Sequence, residues 1–181
     1  MSLSVSLSAV DIRSDANQQA LTGLSGMVYP PAEVADWPGH RLEWAAPEWD
    51  VFVVDDELGM VSYTGAILRD AEHDGKPVHL GGVGGVKTHP DSRGRGHAAA
   101  GLRRAAEFFE TQKPPLDFAL LVCNDSLLAY YSRFGWQQFH GDLLTLQGGE
   151  PKKFGFNNVM VMDLSAKAPT TGRIDLLGPP W

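Results

Sequence analysis

Residues 86–98 constrain the fold more than any other part of the chain. They join an apolar, strand-like stretch to an alanine-rich stretch with helical spacing. Gly94 and Gly96 allow the backbone to bend so that its N–H groups face one concavity, and a helix beginning there adds N–H groups without intrahelical partners. Arg93 and Arg95 can add charge-assisted hydrogen bonds to an anion. The segment therefore predicts a strand, a phosphate-binding loop and a helix in succession.

The spacing of this loop excludes the common nucleotide-binding loops. It lacks the Gly-Lys-Ser/Thr ending of a P-loop, and it has no third glycine at the position that a dinucleotide-binding fingerprint requires. The bound group is therefore expected to be a phosphate held in another way.

Two motifs resemble those of the GNAT (Gcn5-related) N-acetyltransferases. The family's acetyl-CoA loop, Arg/Gln-x-x-Gly-x-Gly/Ala, is met by Arg93, Gly96 and Ala98. A downstream segment is similar to the family pattern Asn-x6-Tyr-x3-Gly-Phe/Trp, with matches at Asn124, Tyr131, Gly135 and Trp136. The motifs stand in the family's order, and the resemblance covers residues 83–136.

Composition favours one soluble domain over residues 1–181. The chain is 43% hydrophobic and 20% charged, and no apolar run approaches the roughly 20 residues that cross a bilayer. Its single cysteine excludes an internal disulfide framework and is interpreted as buried packing. No signal peptide is visible, so we expect a cytoplasmic protein that does not bind membranes.

The net charge of −7 disfavours nucleic acid as a partner and favours a small cationic molecule. The six histidines show no metal-ligand spacing, so no metal is expected. A homodimer is left open.

Hydrophobic periodicity predicts strands alternating with helices. The expected strands are 4–12, 51–54, 60–68, 78–88, 116–122, 143–147 and 159–164, and the expected helices are 15–29, 98–113 and 127–133. Residues 32–50 are expected to form a long loop or broken helix, and a proline-rich tail ends the chain. This order predicts an α/β fold, a mixed sheet with helices on both faces. The GNAT resemblance further implies a mostly antiparallel sheet in which the fourth and fifth strands form a parallel, splayed pair.

The resemblance also implies how acetyl-CoA binds. Its pyrophosphate is expected on the backbone of Arg93, Gly94, Arg95, Gly96, His97 and Ala98. Its pantetheine arm is expected to pair with the strand edge at Val86, Lys87 and Thr88. Asn124 is expected near the cofactor, and a helix N-cap is an equally good and compatible interpretation of it.

Tyr131 is the predicted general acid. When an amine attacks the thioester, the leaving thiolate needs a proton, which a phenol with a pKa near 10 can supply to a thiol with a pKa of about 8.5. Tyr130 lies about 100 degrees away on a helix, and only Tyr131 has the family's spacing to Gly135. Core packing is the alternative interpretation of Tyr131.

The general base and the acceptor site are less defined. Many relatives carry a carboxylate on the fourth strand, but this chain has Gly84 in the matching stretch. The remaining candidates are Asp36, Glu43, Glu48, Asp50, His79 and the terminal carboxylate of Trp181. The aminoglycoside 2'-N-acetyltransferases, which the chain resembles in ending on tryptophan, suggest Asp36, Glu43 and Trp181 as acceptor contacts.

The predicted activity is transfer of an acetyl group from acetyl-CoA to a primary amine of a small, cationic molecule. Two alternatives stay open. One is a catalytically silent GNAT-fold module that binds acyl-CoA, which the glycine at residue 84 favours. The other is acetylation of protein N-termini or lysines.

Overall fold

The computed structural model describes residues 2–34 and 37–181. The helices are α1 (Asp15–Val28), α2 (Pro31–Val34), α3 (His97–Glu110) and α4 (Leu128–Ser132). The strands are β1 (Leu3–Ala9), β2 (Trp49–Asp55), β3 (Gly59–His73), β4 (Lys76–Thr88), β5 (Phe118–Cys123), β6 (Gln137–Phe139), β7 (Asp142–Gln147), β8 (Glu150–Lys153), β9 (Asn158–Asp163) and β10 (Arg173–Asp175).

The strands form one mixed sheet. Its main path runs β6-β9-β5-β4-β3-β10-β7-β8, and β2 pairs with β3 and with β1. The β4/β5 and β7/β10 pairs are parallel, whereas β1/β2, β2/β3, β3/β10, β5/β9, β6/β9 and β7/β8 are antiparallel. The predicted fold class, a mostly antiparallel mixed sheet with a parallel β4/β5 pair, is confirmed.

The chain divides into two compact units. Unit 1 comprises Met1–Pro38, Pro47–Ala66 and Val83–Glu107. Unit 2 comprises Gly39–Ala46, Ile67–Gly82 and Phe108–Trp181. The single domain expected over residues 1–181 stays a prediction.

Unit 1 has its core beneath α1. The Ser14 hydroxyl accepts a hydrogen bond from the Asn17 backbone N–H at 3.2 Å, which caps the helix where the sequence predicts its start. Leu21 and Leu24 project from the next turns and are buried with Phe52 of β2. The predicted helix over residues 15–29 therefore forms because its apolar face has a sheet to cover.

Unit 2 is built around strand β5, whose side chains are almost all buried. Phe118 and Leu120 pack in one cluster with Leu80, Ile174 and Trp181. An apolar run of this kind is expected for a strand covered on both faces.

The short strands are the main difference from the expected elements. β6, β8 and β10 were not predicted, and β10 lies in the tail that was expected to be irregular. In β10, Ile174 is opposite Leu143 of β7 on one side and His73 of β3 on the other. Three residues are too few to show a period in the sequence, so only this pairing identifies the strand.

In the part of the chain that the structure describes, no helix has both the length and the apolar character needed to span a bilayer.

Candidate active site

The loop between β4 and α3 forms an open turn at the start of a long helix. A short 3-10 turn covers Pro90–Ser92, and the Ser92 N–H donates to the His89 carbonyl at 2.9 Å. Gly94 and Gly96 follow with φ of 76° and 82°, a region that favours glycine. A β-carbon at either glycine would have no heavy atom within 4 Å. The loop therefore has free space beside its backbone.

Helix α3 contributes its N-terminus to this space. The Ala100 N–H donates to the Gly96 carbonyl at 3.0 Å, which is the start of the helical hydrogen-bond pattern. The N–H groups before Ala100 are those that a helix leaves without intrahelical acceptors. They carry the positive end of the helix dipole, so an anion is favoured here.

Two buried polar atoms flank the loop without a partner. Ser92 is 1% exposed and His97 is 9% exposed, and neither Ser92 Oγ nor His97 Nδ1 has a hydrogen-bond partner among the described residues. Buried polar groups are nearly always paired, and leaving one unpaired costs about 1–3 kcal/mol. Both atoms therefore lie enclosed beside the loop with unmet hydrogen-bonding capacity.

Arg93 and Arg95 are exposed, and within the described residues neither forms an ion pair with a carboxylate. Among the described residues, no acid therefore neutralises their charges. The loop combines backbone N–H groups with two uncommitted guanidinium groups, which are the donors that bind phosphate oxygens most strongly.

The end of β4 leads into this loop. The Ser62 hydroxyl of β3 donates to the Lys87 carbonyl at 2.7 Å and lies 3.0 Å from the Thr88 hydroxyl. The His89 N–H donates to the Val61 carbonyl at 2.9 Å. These contacts fix residues 87–89 in unit 1 against β3.

A buried ion pair lies beneath the same sheet in unit 1. Asp50 is 0% exposed and accepts hydrogen bonds from Arg13 at 2.6 and 2.7 Å and from the Tyr63 hydroxyl at 3.0 Å. Burial, followed by the Asp50 charge, raises the pKa of Tyr63. Asp50, one of the candidate bases, is therefore engaged as a structural anchor. Sequence reasoning missed this triad because its members are far apart in the chain and share no motif.

In unit 2, Asn124 follows β5 and lines a cavity. Its Oδ1 accepts a hydrogen bond from Ser126 Oγ at 2.7 Å. Asn124 holds the N-cap position of a 3-10 turn, but its side chain donates or accepts no capping bond there. The cavity has a volume of about 310 Å³ and is lined by Asn124, Asp125, Gly155, Phe156, Asn157 and Asn158.

Tyr131, on α4 in unit 2, differs from its neighbour Tyr130 in burial. Tyr131 is 5% exposed and meets the ring of Trp136 edge to face, with centroids 6.3 Å apart. Tyr130 is half-buried and contacts Phe134 and the guanidinium of Arg133. The two phenols therefore have different surroundings, as their helical spacing predicts.

The three expected acceptor contacts differ in their surroundings, and the structure describes two of them. Asp36 lies outside the described residues. Glu43 is exposed, and its carboxylate accepts a hydrogen bond from the Gly148 N–H at 3.2 Å. Trp181 is 5% exposed, and its indole N–H donates to the Leu120 carbonyl at 3.1 Å. Glu43 and Trp181 both belong to unit 2, and the Trp181 indole is part of that unit's core.

His79, another candidate base, pairs with an acid on the surface of unit 2. Its Nδ1 lies 2.7 Å from Asp70 Oδ1, and both side chains are substantially exposed. Among the described residues, no three His, Cys, Asp or Glu side chains are grouped so that they could hold a metal ion.

Solved structures with the same fold include several acyltransferases. An acyl-CoA N-acyltransferase from Pseudomonas aeruginosa has a TM-score of 0.60 and 17% identity, covering 89% of this chain and 99% of its own. The GNAT family N-acetyltransferase YhbS from Escherichia coli, solved with CoA, has a TM-score of 0.61 and 16% identity, covering 97% and 91%. NAA60 from Arabidopsis thaliana, solved with a bisubstrate analogue, has a TM-score of 0.60 and 12% identity, covering 91% and 100%.

Two comparisons of the sequence gave different outcomes. A search of curated proteins finds no match for this chain, whereas a family model does match it. The model described as the acetyltransferase (GNAT) domain matches residues 27–139, which include both motifs. Because this segment is more than half of the sequence, the chain belongs to the GNAT acetyltransferases.

Proposed function

We propose that this protein transfers the acetyl group of acetyl-CoA to a primary amine of a small, cationic molecule. The observation that carries the proposal is the loop of residues 93–98. There two glycines with positive φ, a helix N-terminus and two exposed arginines occur together, beside buried atoms of Ser92 and His97 that have no partner among the described residues.

The cofactor's pyrophosphate is assigned to this loop. Its oxygens accept hydrogen bonds from the backbone N–H groups of residues 94–98 and from the guanidinium groups of Arg93 and Arg95, since the Arg93 backbone N–H already donates to the Pro90 carbonyl at 3.3 Å. The side chains of Ser92 and His97 lie beside this site, each with a buried polar atom that has no partner among the described residues. That YhbS was solved with CoA supports this assignment.

The pantetheine arm is assigned to the strand edge at Val86, Lys87 and Thr88, where it pairs as an added strand. Asn124 is assigned as a further cofactor contact. When bound, acetyl-CoA supplies an activated thioester. Tyr131 is the proposed general acid and gives its phenolic proton to the thiolate that leaves when the amine attacks.

The acceptor is proposed to be cationic because the chain carries a net charge of −7. Asp36, Glu43 and Trp181 are its proposed contacts. A second candidate function, a silent acyl-CoA-binding module, is favoured by one observation, the glycine at residue 84 where relatives carry a base.

Calorimetry with CoA tests the loop assignment. Gly96→Asp puts a carboxylate in the proposed anion site, so we expect binding to weaken by at least about 2 kcal/mol. Gly59→Asp is the matched control, since Gly59 has a φ of 76° and equally open surroundings in the β2–β3 turn. Equal affinity of the two folded variants and the native protein would overturn the assignment.

Release of free CoA thiol with a panel of amines separates the two candidate functions. An enzyme consumes acetyl-CoA faster when a suitable amine is present. A protein that binds CoA, but consumes acetyl-CoA no faster with any amine than without one, is a silent module.

A further inference from the structure

Lys87 has different surroundings from the other lysines of the chain. It lies at the end of β4 and is half-buried. The remaining lysines are exposed, and they are Lys76, Lys113, Lys152, Lys153 and Lys167. Lys76 lies on the same strand and therefore serves as a natural comparison.

The Lys87 amine is held by contacts within unit 1. Its Nζ lies 4.9 Å from the ring centre of Tyr63 and 5.9 Å from that of Tyr29. It donates a hydrogen bond to the Gly85 carbonyl at 3.0 Å. Gly85 has a φ of 61°, so the backbone departs from extended geometry where the amine folds back on it. The side chain is thus bent along its own strand rather than extended into solvent.

The described part of the chain contains no acid that neutralises this amine. Among the described residues, Lys87 has no ion-pair partner. The buried carboxylate of Asp50, which contacts Tyr63, is already engaged by Arg13 and by the Tyr63 hydroxyl. Burial, followed by the positive charge of Arg13, lowers the pKa of Lys87. A larger share of this amine is therefore neutral and nucleophilic at a given pH than of an exposed lysine.

We propose that Lys87 is a self-acetylation site, whose Nζ takes the acetyl group from acetyl-CoA bound to the same chain. The inference rests on the proposed function, which places the pantetheine arm along Val86, Lys87 and Thr88. The structure adds that the Lys87 amine is folded back along the same strand to the carbonyl of Gly85, the residue that precedes this stretch.

The chemical step balances without any further reactant. The lone pair of the neutral Nζ attacks the thioester carbonyl carbon, a C–N bond forms and the C–S bond breaks. The thiolate leaves as free CoA thiol after taking up the proton that the amine loses. The product is N-acetyl-Lys87, which has no positive charge.

Mass spectrometry of the intact chain and its peptides tests the proposal. The protein is incubated with acetyl-CoA in the absence of an amine acceptor, and the acetylation rate is measured at each lysine. Because bound reactants gain a large proximity advantage, we expect Lys87 to be acetylated at least about tenfold faster than Lys76. The rate at Lys87 should not depend on protein concentration, and Lys87→Arg should abolish that product while Lys76→Arg leaves it.

Gly96→Asp distinguishes acetyl transfer from bound acetyl-CoA from a direct reaction of the Lys87 amine with acetyl-CoA in solution. Loss of Lys87 acetylation in this variant, with acetic anhydride still labelling Lys87, supports the proposal. Equal rates at Lys87 and Lys76, or full Lys87 acetylation by acetyl-CoA in Gly96→Asp, overturns it. If Lys87 stays unmodified, the inference is wrong, and CoA calorimetry with the amine panel then decides separately whether the proposed function stands.

Discussion

The indole of Trp181 lies directly on the backbone of Gly82, so close that a β-carbon at residue 82 would overlap the ring. The same indole donates to the Leu120 carbonyl, and the guanidinium of Arg69 lies 5.5 Å from the ring centre. The preceding Pro180 carbonyl accepts a hydrogen bond from the Ala45 N–H at 2.6 Å. The last residues are thus part of the packing of unit 2.

Trp181→Ala is therefore expected to destabilise the protein. Truncating a buried tryptophan typically costs about 3–5 kcal/mol, here with the added loss of the bond to Leu120. Urea unfolding measures the change, and Trp37→Ala is the control because Trp37 is 43% exposed. A cost below about 1 kcal/mol together with a raised acceptor KM would instead favour the acceptor role expected for Trp181.

Local sequence signals predicted the glycine turn and helix start of residues 94–97 better than they predicted the tail. The turn at Gly94 and Gly96 and the helix at His97 follow from residues that are neighbours in the chain. Strand β10 and the burial of Trp181 depend instead on partners such as Leu143 and Gly82, tens of residues away. Short-range periodicity carries no information on such pairings, and this is why the tail was expected to be irregular.

The same limit applies to the interior of unit 1. Asp50 is a candidate base in the sequence because residues 36–50 also contain Asp36, Glu43 and Glu48. The structure instead gives Asp50 Arg13 and Tyr63 as partners. The orphaned atoms of Ser92 and His97 likewise become visible only once burial is known. Spacing identified the loop, but only the three-dimensional contacts show which polar atoms beside it are unpaired.

Cys123 is expected to be unreactive in the folded protein. It is 4% exposed, and burial, followed by the charge of Asp125, raises the pKa of its thiol to about 11. At pH 8 we expect iodoacetamide to alkylate the native thiol far more slowly than the urea-unfolded one, as mass spectrometry can measure. Equal rates would contradict the burial.

The Cys123 shift also predicts a pH effect on stability. The thiol pKa is raised in the folded state relative to the ordinary value of 9.0. Between about pH 9 and pH 11 the unfolded chain releases a proton that the native chain keeps, so stability falls as pH rises. Across this window the free energy of unfolding should fall more in the native protein than in Cys123→Ala. An equal fall in the two proteins would contradict the prediction.

Tyr131→Phe tests the proposed general acid. Loss of a positioned acid typically costs about 10²-fold in rate, so we expect kcat to fall by about that factor while CoA affinity is unchanged. Tyr130→Phe is the matched control, since Tyr130 lies on the same helix but is less buried. Native turnover in both variants with a good acceptor would mean that another group, such as water, protonates the thiolate.

Two changes test the acceptor site: removal of the Glu43 charge and an increase in salt concentration. Glu43→Gln keeps an oxygen that can accept from the Gly148 N–H but removes the negative charge. An exposed charge pair contributes about 0.2–1 kcal/mol, so we expect the KM for a polycationic amine to rise by up to about fivefold. Glu150→Gln, on the exposed strand β8, should leave the KM at its native value.

The salt dependence of the KM gives a second test. Charge pairs at the surface are screened over about 8 Å at physiological ionic strength, so the KM of the native protein should rise with added salt. The KM of Glu43→Gln should rise less steeply. The prediction is wrong if neither added salt nor Glu43→Gln changes the KM, or if the enzyme prefers neutral or anionic amines. The acids of residues 36–50 would then be a solvated surface, and the acceptor would be held elsewhere.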